Sequence, residues 1–257
     1  MNKQSRRDIL KAGIIAIAGL SLPLSAFEFF TSNAAADVAR NSDVRWIFLV
    51  DSYKCIGCGL CVKACQIENE LPYHVNLART WIERYVIKKD GKVIVDSPKQ
   101  GRDGFIKNNP LGIEVPKAEI SKGIFVPKLC NQCDLPLCVE VCPVGATYKT
   151  SDGVVLVDRK WCIGCSACIS NCPYSARFIH PTLHVAEKCN FCYHRITQGL
   201  QTACVDACAF GARKIGNIKN LDDPVTKIVQ TSRVMVLSPG YNSKPQVYYQ
   251  GLSFEVK

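Results

Sequence analysis

The chain has 257 residues, is 47% hydrophobic and carries a formal net charge of +10 with 16 cysteines. That composition shows no sign of disorder, and it leaves one large domain or two small ones. Sixteen cysteines exceed any packing need and leave disulfides, zinc or iron–sulfur chemistry to be told apart.

Residues 1–36 read as an export signal. Ser5-Arg6-Arg7-Asp8-Ile9-Leu10-Lys11 resembles a twin-arginine box, with Ile9 where Phe is commonest. An apolar run from Ala12 to Leu24 follows, broken by Pro23 and short for a membrane span. Ala34-Ala35-Ala36 supplies small residues for cleavage before Asp37; an uncleaved anchor or a chance arginine pair is the alternative. Folded export suits a cluster protein, because clusters inserted in a reducing cytosol escape disulfide formation outside it.

The run from Val44 to Val50 predicts a buried strand leading into the first cysteine tetrad, Cys55, Cys58, Cys61 and Cys65, whose last members open a short helix. Residues 66–129 form a cysteine-free insertion. Within it Trp81–Ile87 and Lys92–Val95 flank Asp90-Gly91, a hairpin signal. Residues 96–123, rich in Gly, Pro, Lys and Asn, read as a surface loop. The insertion is either a docking surface for a partner subunit or a cover over the tetrads.

The second tetrad is Cys130, Cys133, Cys138 and Cys142. A hairpin turning at Ser151-Asp152-Gly153 leads to the third, Cys162, Cys165, Cys168 and Cys172, spaced C-x2-C-x2-C-x3-C-P. That is the spacing by which bacterial ferredoxins hold [4Fe–4S] clusters. The fourth tetrad, Cys189, Cys192, Cys204 and Cys208, has a longer gap. Beyond Gly216 the chain turns polar, and Val234–Leu237 and Gln246–Tyr249 predict two strands in a β tail, residues 217–257. No apolar run after residue 36 reaches membrane length.

Close C-x2-C pairs point to metal rather than disulfides, and three cysteines within seven residues point to a cubane rather than zinc. Thiolates are the soft ligands that iron in a cubane needs, four to a cluster, so sixteen match four [4Fe–4S] clusters. Gly57, Gly59 and Gly164 lie between ligands, where the backbone bends around the cluster and its N–H groups can reach sulfur. The tetrad–hairpin–tetrad plan is that of two-cluster ferredoxins, in which the fourth cysteine of each tetrad binds the other's cluster. The fold class expected is α+β: tandem ferredoxin-like [4Fe–4S] modules with inserted β-hairpins, over residues 37–257.

The charge argues for no nucleic-acid partner. Residues 1–36 hold four basic side chains against Asp8 and Glu28, so the rest carries +10 less +2, or +8. Four oxidised clusters with their thiolates add about −2 each. Lys54, Lys128, Lys160 and Lys188 each stand just before a tetrad and read mainly as solvated charges. His74, His180, His184 and His194 fit neither haem nor Rieske spacing, and no nucleotide-binding or triad motif marks a catalytic residue or a small-molecule substrate site.

Val126-Pro127-Lys128-Leu129-Cys130-Asn131-Gln132-Cys133, Cys172-Pro173-Tyr174-Ser175-Ala176-Arg177 and Lys188-Cys189-Asn190-Phe191-Cys192 carry a resemblance. From about Val44 to Tyr249 the chain resembles the four-cluster iron–sulfur electron-transfer subunits of the DMSO reductase-type molybdopterin oxidoreductases. Exported members serving tetrathionate, polysulfide, thiosulfate or arsenate reductases, and a sister subunit serving nitrite reduction, are the most similar. The resemblance implies crossed ligation: Cys55, Cys58 and Cys61 with Cys208; Cys65 with Cys189, Cys192 and Cys204; Cys130, Cys133 and Cys138 with Cys172; and Cys142 with Cys162, Cys165 and Cys168. Cysteine at 165 implies a four-iron rather than a three-iron cluster. The resemblance also implies that the Cys55 end faces a catalytic molybdopterin subunit and the Cys162 end a quinone-binding membrane subunit, in the periplasm. Ala209 departs from the proline frequent in relatives. A molybdenum-free complex with a multihaem cytochrome, or a free-standing polyferredoxin, are the competing readings.

Overall fold

A computed structural model describes residues 43–105, 113–253 and 256. The export signal expected over residues 1–36 lies outside them. The predicted first strand is present as β1 (Trp46–Asp51). It is the middle strand of a three-stranded sheet, antiparallel to β9 (Arg213–Asn217) and parallel to β10 (Val247–Gln250). Phe48 stands opposite both Ile215 and Val247.

A central strand covered on both faces reads as a continuous apolar run rather than an alternation, and Ile47, Phe48, Leu49 and Val50 are all buried. Phe48 and Val50 face the main core. Ile47 and Leu49 face the opposite side, where helix α6 (Pro224–Thr231) lays Val225 against them. Each such side chain contributes roughly 1.5–3 kcal/mol by leaving water.

This sheet joins the two ends of the chain. Cys55 follows β1 by four residues and Cys208 precedes β9 by five, and Val50 pairs with Arg213. Helix α1 (Leu60–Glu68), which carries Cys61 and Cys65, packs on α5 (Ala203–Asp206), which carries Cys204. The first and fourth tetrads therefore meet although 123 residues, 66–188, lie between them.

The insertion builds its own sheet, in the order β3-β2-β4. Strand β2 (Thr80–Lys88) pairs antiparallel with β3 (Val93–Asp96) and with β4 (Ile120–Leu129). The start of β4 falls in the segment read as loop, because Gly123 and Pro127 disguise it. An edge strand tolerates proline, since its N–H need not join a ladder. Two short hairpins link the later tetrads: β5 (Thr147–Lys149) with β6 (Val155–Val157), and β7 (Arg177–Ile179) with β8 (Ala186–Lys188).

The C-terminal segment differs from a pure β tail. Of its two expected strands, β10 forms, whereas Met235 makes only an isolated bridge to Tyr249. Helix α6 stands where the sequence suggests no helix. Its start is set by Asp223, whose carboxylate accepts hydrogen bonds from the Val225 and Thr226 amides (2.8 and 3.2 Å), with Pro224 in the first turn.

Candidate cluster-binding site

None of the sixteen cysteines forms a disulfide. Each tetrad makes the same bend: the residue just before its second cysteine has a left-handed backbone. These are Gly57 (φ 70), Gln132 (φ 45), Gly164 (φ 69) and Phe191 (φ 53). Glycine adopts that conformation without strain. At Gly164 it is also required sterically, because a Cβ would sit 2.3 Å from the His184 carbonyl oxygen.

Gln132 and Phe191 are held there by packing instead. The Gln132 side chain is buried, donating to the Cys189 carbonyl (2.8 Å) and accepting from the Val155 amide (2.7 Å). Phe191 stacks on Phe48 with ring centroids 5.5 Å apart. Glycine spacing could not reveal these two bends.

Two cavities are lined by cysteines from both ends of the chain. Cys55, Cys58, Cys61 and Cys208 line one, with Ile82, Phe210 and Arg213. Cys65, Cys189, Cys192 and Cys204 line the other, with Phe48, Phe191 and Arg79. Burial pushes the Cys61 thiol up to about 11. In the second tetrad, burial pushes Cys133 up to about 12 against a hydrogen bond with Ser243, and its charged neighbours are Cys130, Cys138 and Cys172.

The fourth expected set draws on Cys142 and on the third tetrad. Burial opposes the Cys142 thiolate, but the backbone amides of Thr147, Val144 and Ala146 outweigh it and hold the pKa below that of an ordinary thiol. Cys162 accepts from the Ala186 amide (3.3 Å), and Cys168 lies on α3 (Ala167–Ser170), which packs on α2 (Leu137–Glu140) beside Cys138.

Backbone and side-chain donors also reach the other sulfurs. Ala212 N–H points to Cys208 (3.3 Å), Phe191 N–H to Cys189 (3.5 Å), and the Asn69 amide to Cys65 (3.6 Å). Such donors favour thiolate over thiol. Among the described residues, no three His, Cys, Asp or Glu side chains converge on a position for a single metal ion. Cysteines of the first and fourth tetrads instead share two cavities.

The strongest sign of an anionic occupant is Arg213. It is 1% exposed, and its Nε and both terminal nitrogens lack hydrogen-bond partners. Burying a cation without a partner is strongly unfavourable, and a thiolate-bound cluster beside it supplies the missing negative charge. The residues therefore fit the group.

The four lysines before the tetrads divide. Lys54 and Lys160 are exposed as expected. Lys188 is 2% exposed and donates to the Val155 and Cys189 carbonyls, and buried Lys128 pairs with Glu83 (2.7 Å). The solvated reading fails for those two because each finds oxygen partners inside the fold. Among the histidines, His194 on α4 (Tyr193–Ile196) pairs with Glu68 (2.7 Å) and His180 is buried.

Comparison with known proteins agrees with this chemistry. A family described as "4Fe-4S dicluster domain" matches residues 121–218, and a second of the same description matches 54–146. A tetrathionate reductase subunit of Salmonella typhimurium is 34% identical over 255 residues, covering 98% of this chain and 90% of the relative. The chain belongs to the iron–sulfur electron-transfer subunits of molybdopterin-type reductases and their relatives. The corresponding tetrathionate reductase subunit of Archaeoglobus fulgidus is 40% identical over 83% of this chain and 85% of its own length. Protein NrfC of Escherichia coli is 33% identical over 88% and 89%. As a member of these electron-transfer subunits, the chain holds four [4Fe–4S] clusters. Among the described residues no helix is long and apolar enough to cross a membrane.

Proposed function

We propose that this chain is the exported electron-transfer subunit of a tetrathionate-reductase-type complex, joining a quinone-linked membrane subunit to a periplasmic molybdopterin subunit. The observation that carries the reading is the pair of cavities in which cysteines from opposite ends of the chain line one space. The ligand sets proposed are those of crossed ligation. Cys55, Cys58, Cys61 and Cys208 hold the first cluster, and Cys65, Cys189, Cys192 and Cys204 the second. Cys130, Cys133, Cys138 and Cys172 hold the third, and Cys142, Cys162, Cys165 and Cys168 the fourth. The bound clusters supply one-electron transfer. The chain's own work is to space them, bury them and set the charge around them.

The domain reading proposed is an export signal over 1–36 and a four-cluster unit over 37–257, with 66–129 as insertion and 217–257 as the closing tail. Two sets of exposed apolar side chains support docking at both ends. Ile56, Leu60 and Phe210 flank the Cys55 set, and Trp161, Ile163 and Leu183 lie around the Cys162 turn. Exposed apolar side chains beside a redox group favour a partner that excludes water. The first patch suits the catalytic subunit and the second the membrane subunit. Arg6 and Arg7 support twin-arginine export of the folded chain.

Purification of the native complex tests the reading. Molybdenum and a pterin-binding partner are expected to co-purify with the chain in the periplasmic, membrane-associated fraction. Absence of molybdenum from every co-purifying subunit overturns this version. A multihaem cytochrome in its place supports the second reading, a molybdenum-free quinone complex, which gains from the similarity to NrfC.

A further inference from the structure

Cys172-Pro173-Tyr174-Ser175-Ala176-Arg177 and Cys208-Ala209-Phe210-Gly211-Ala212-Arg213 place an arginine five residues after the last cysteine of the third and fourth tetrads. Each opens a short strand, β7 and β9. The corresponding positions after the first and second tetrads hold Glu70 and Thr147. Both arginines are buried, Arg177 4% and Arg213 1% exposed. Among the described residues neither forms an ion pair with a carboxylate. Arg213 has no hydrogen-bond partner on any guanidinium nitrogen. Arg177 leaves its Nε without one, and its terminal nitrogens donate to Thr147 Oγ1 (3.3 Å) and the Cys138 sulfur (3.1 Å).

Each charge stands between two ligand sets. Arg213 lines the cavity of Cys55 and Cys61, and burial works against its charge while Cys61, Cys204 and Cys55 hold it. Cys204 belongs to the neighbouring set. Arg177 interacts in the same way with Cys138 and Cys130 of the third set and Cys168 of the fourth. A guanidinium stays charged when buried, and an ammonium held beside an anionic cluster keeps its proton as well, so the requirement is for a fixed positive charge.

We propose that Arg213 and Arg177 are positioning residues, each the buried counter-cation shared by the two clusters of one crossed pair. Reduction adds a negative charge beside a fixed positive one, so each arginine favours the reduced form of both its clusters and raises their midpoint potentials. The inference rests on the crossed ligation proposed above.

The experiment is a redox titration followed by electron paramagnetic resonance on the anaerobically purified full chain, wild type against R213Q and R177Q. Iron content and four titrating cubanes in the wild type test the cluster reading by itself; failure there counts against that reading and not against the arginines. R213Q is expected to lower two of four midpoints, changing the reduced-to-oxidised ratio at fixed potential at least tenfold, about 59 mV for one electron. R177Q is expected to lower the other two. R213K and R177K restore most of each shift. All four midpoints unmoved, all four moved alike, or one moved alone in each variant overturns the proposal. If a glutamine variant loads poorly, about half the iron should remain, with the surviving pair at wild-type potentials and loading restored by lysine. A loss that lysine does not restore assigns the arginine to shape rather than charge and overturns the proposal.

Discussion

Arg79 and Glu187 meet in a salt bridge of 2.9 Å with both side chains 6% exposed. Arg79 also donates to Asn69 at the end of α1 and to Asn190 in the fourth tetrad (2.5 and 3.1 Å). Glu187 lies on β8 and accepts from Arg159 (2.7 Å) as well. One buried guanidinium thus ties the first tetrad, the fourth tetrad and the β7–β8 hairpin together.

Removing one partner of a buried pair leaves the other charge uncompensated and costs about 3–5 kcal/mol. Arg79→Met is expected to shorten the half-life of the cluster absorbance on heating, and Arg79→Met with Glu187→Leu to recover much of it. Half-life is the proper observable, because a protein with bound clusters need not unfold reversibly. An unchanged half-life in Arg79→Met would show that the pair does not hold the tetrads.

Gly164→Ala is expected to lose one cluster. Its φ of 69° strains any Cβ, and that Cβ would meet the His184 carbonyl at 2.3 Å. Gly91→Ala is the control: φ is 82° but nothing lies within 4 Å, so only about 1 kcal/mol of backbone strain remains. Iron analysis should give about four irons fewer per chain for the first variant and no loss for the second. Equal iron in both would refute the close approach.

The β7–β8 turn should loosen in mild acid. His180 is buried, and Nδ1 accepts from the Thr182 and Leu183 amides (3.4 and 3.3 Å). Burial lowers its pKa; Glu187 opposes this, while Arg159, Arg79 and His184 add to it. The folded state therefore prefers the neutral ring. That stability is fully present above the unfolded value of about 6.5 and is lost as pH falls through the lower folded value. Hydrogen exchange at Thr182 and Leu183, corrected for intrinsic rate, should lose protection below about pH 6.5. Protection that stays constant down to pH 5 contradicts the assignment.

Cysteine spacing and the run from Ile47 to Val50 were legible because both express one dominant requirement, four soft ligands in one case and burial on two faces in the other. The first strand and the β5–β6 hairpin lie where the apolar runs and turn residues predict, whereas no turn signal in the sequence marks the β7–β8 hairpin. The bends at Gln132 and Phe191 were not legible, since packing rather than glycine holds them. Helix α6 is hidden in the sequence because its segment is half polar and needs β1 to bury Val225. Arg79, Arg177 and Arg213 are hidden for a similar reason. Arginine is ordinarily a surface residue, and only the folded chain surrounds these three with cysteines and leaves them nearly without solvent.

The central claim is that sixteen cysteines hold four cubanes for electron transfer. Iron and acid-labile sulfide, measured with Mössbauer spectra on the anaerobically purified chain, test it most directly. About sixteen irons and as many sulfides per chain are expected, all in [4Fe–4S] spectra. Zinc in place of iron, or iron clearly below that number in fully loaded protein, would contradict it.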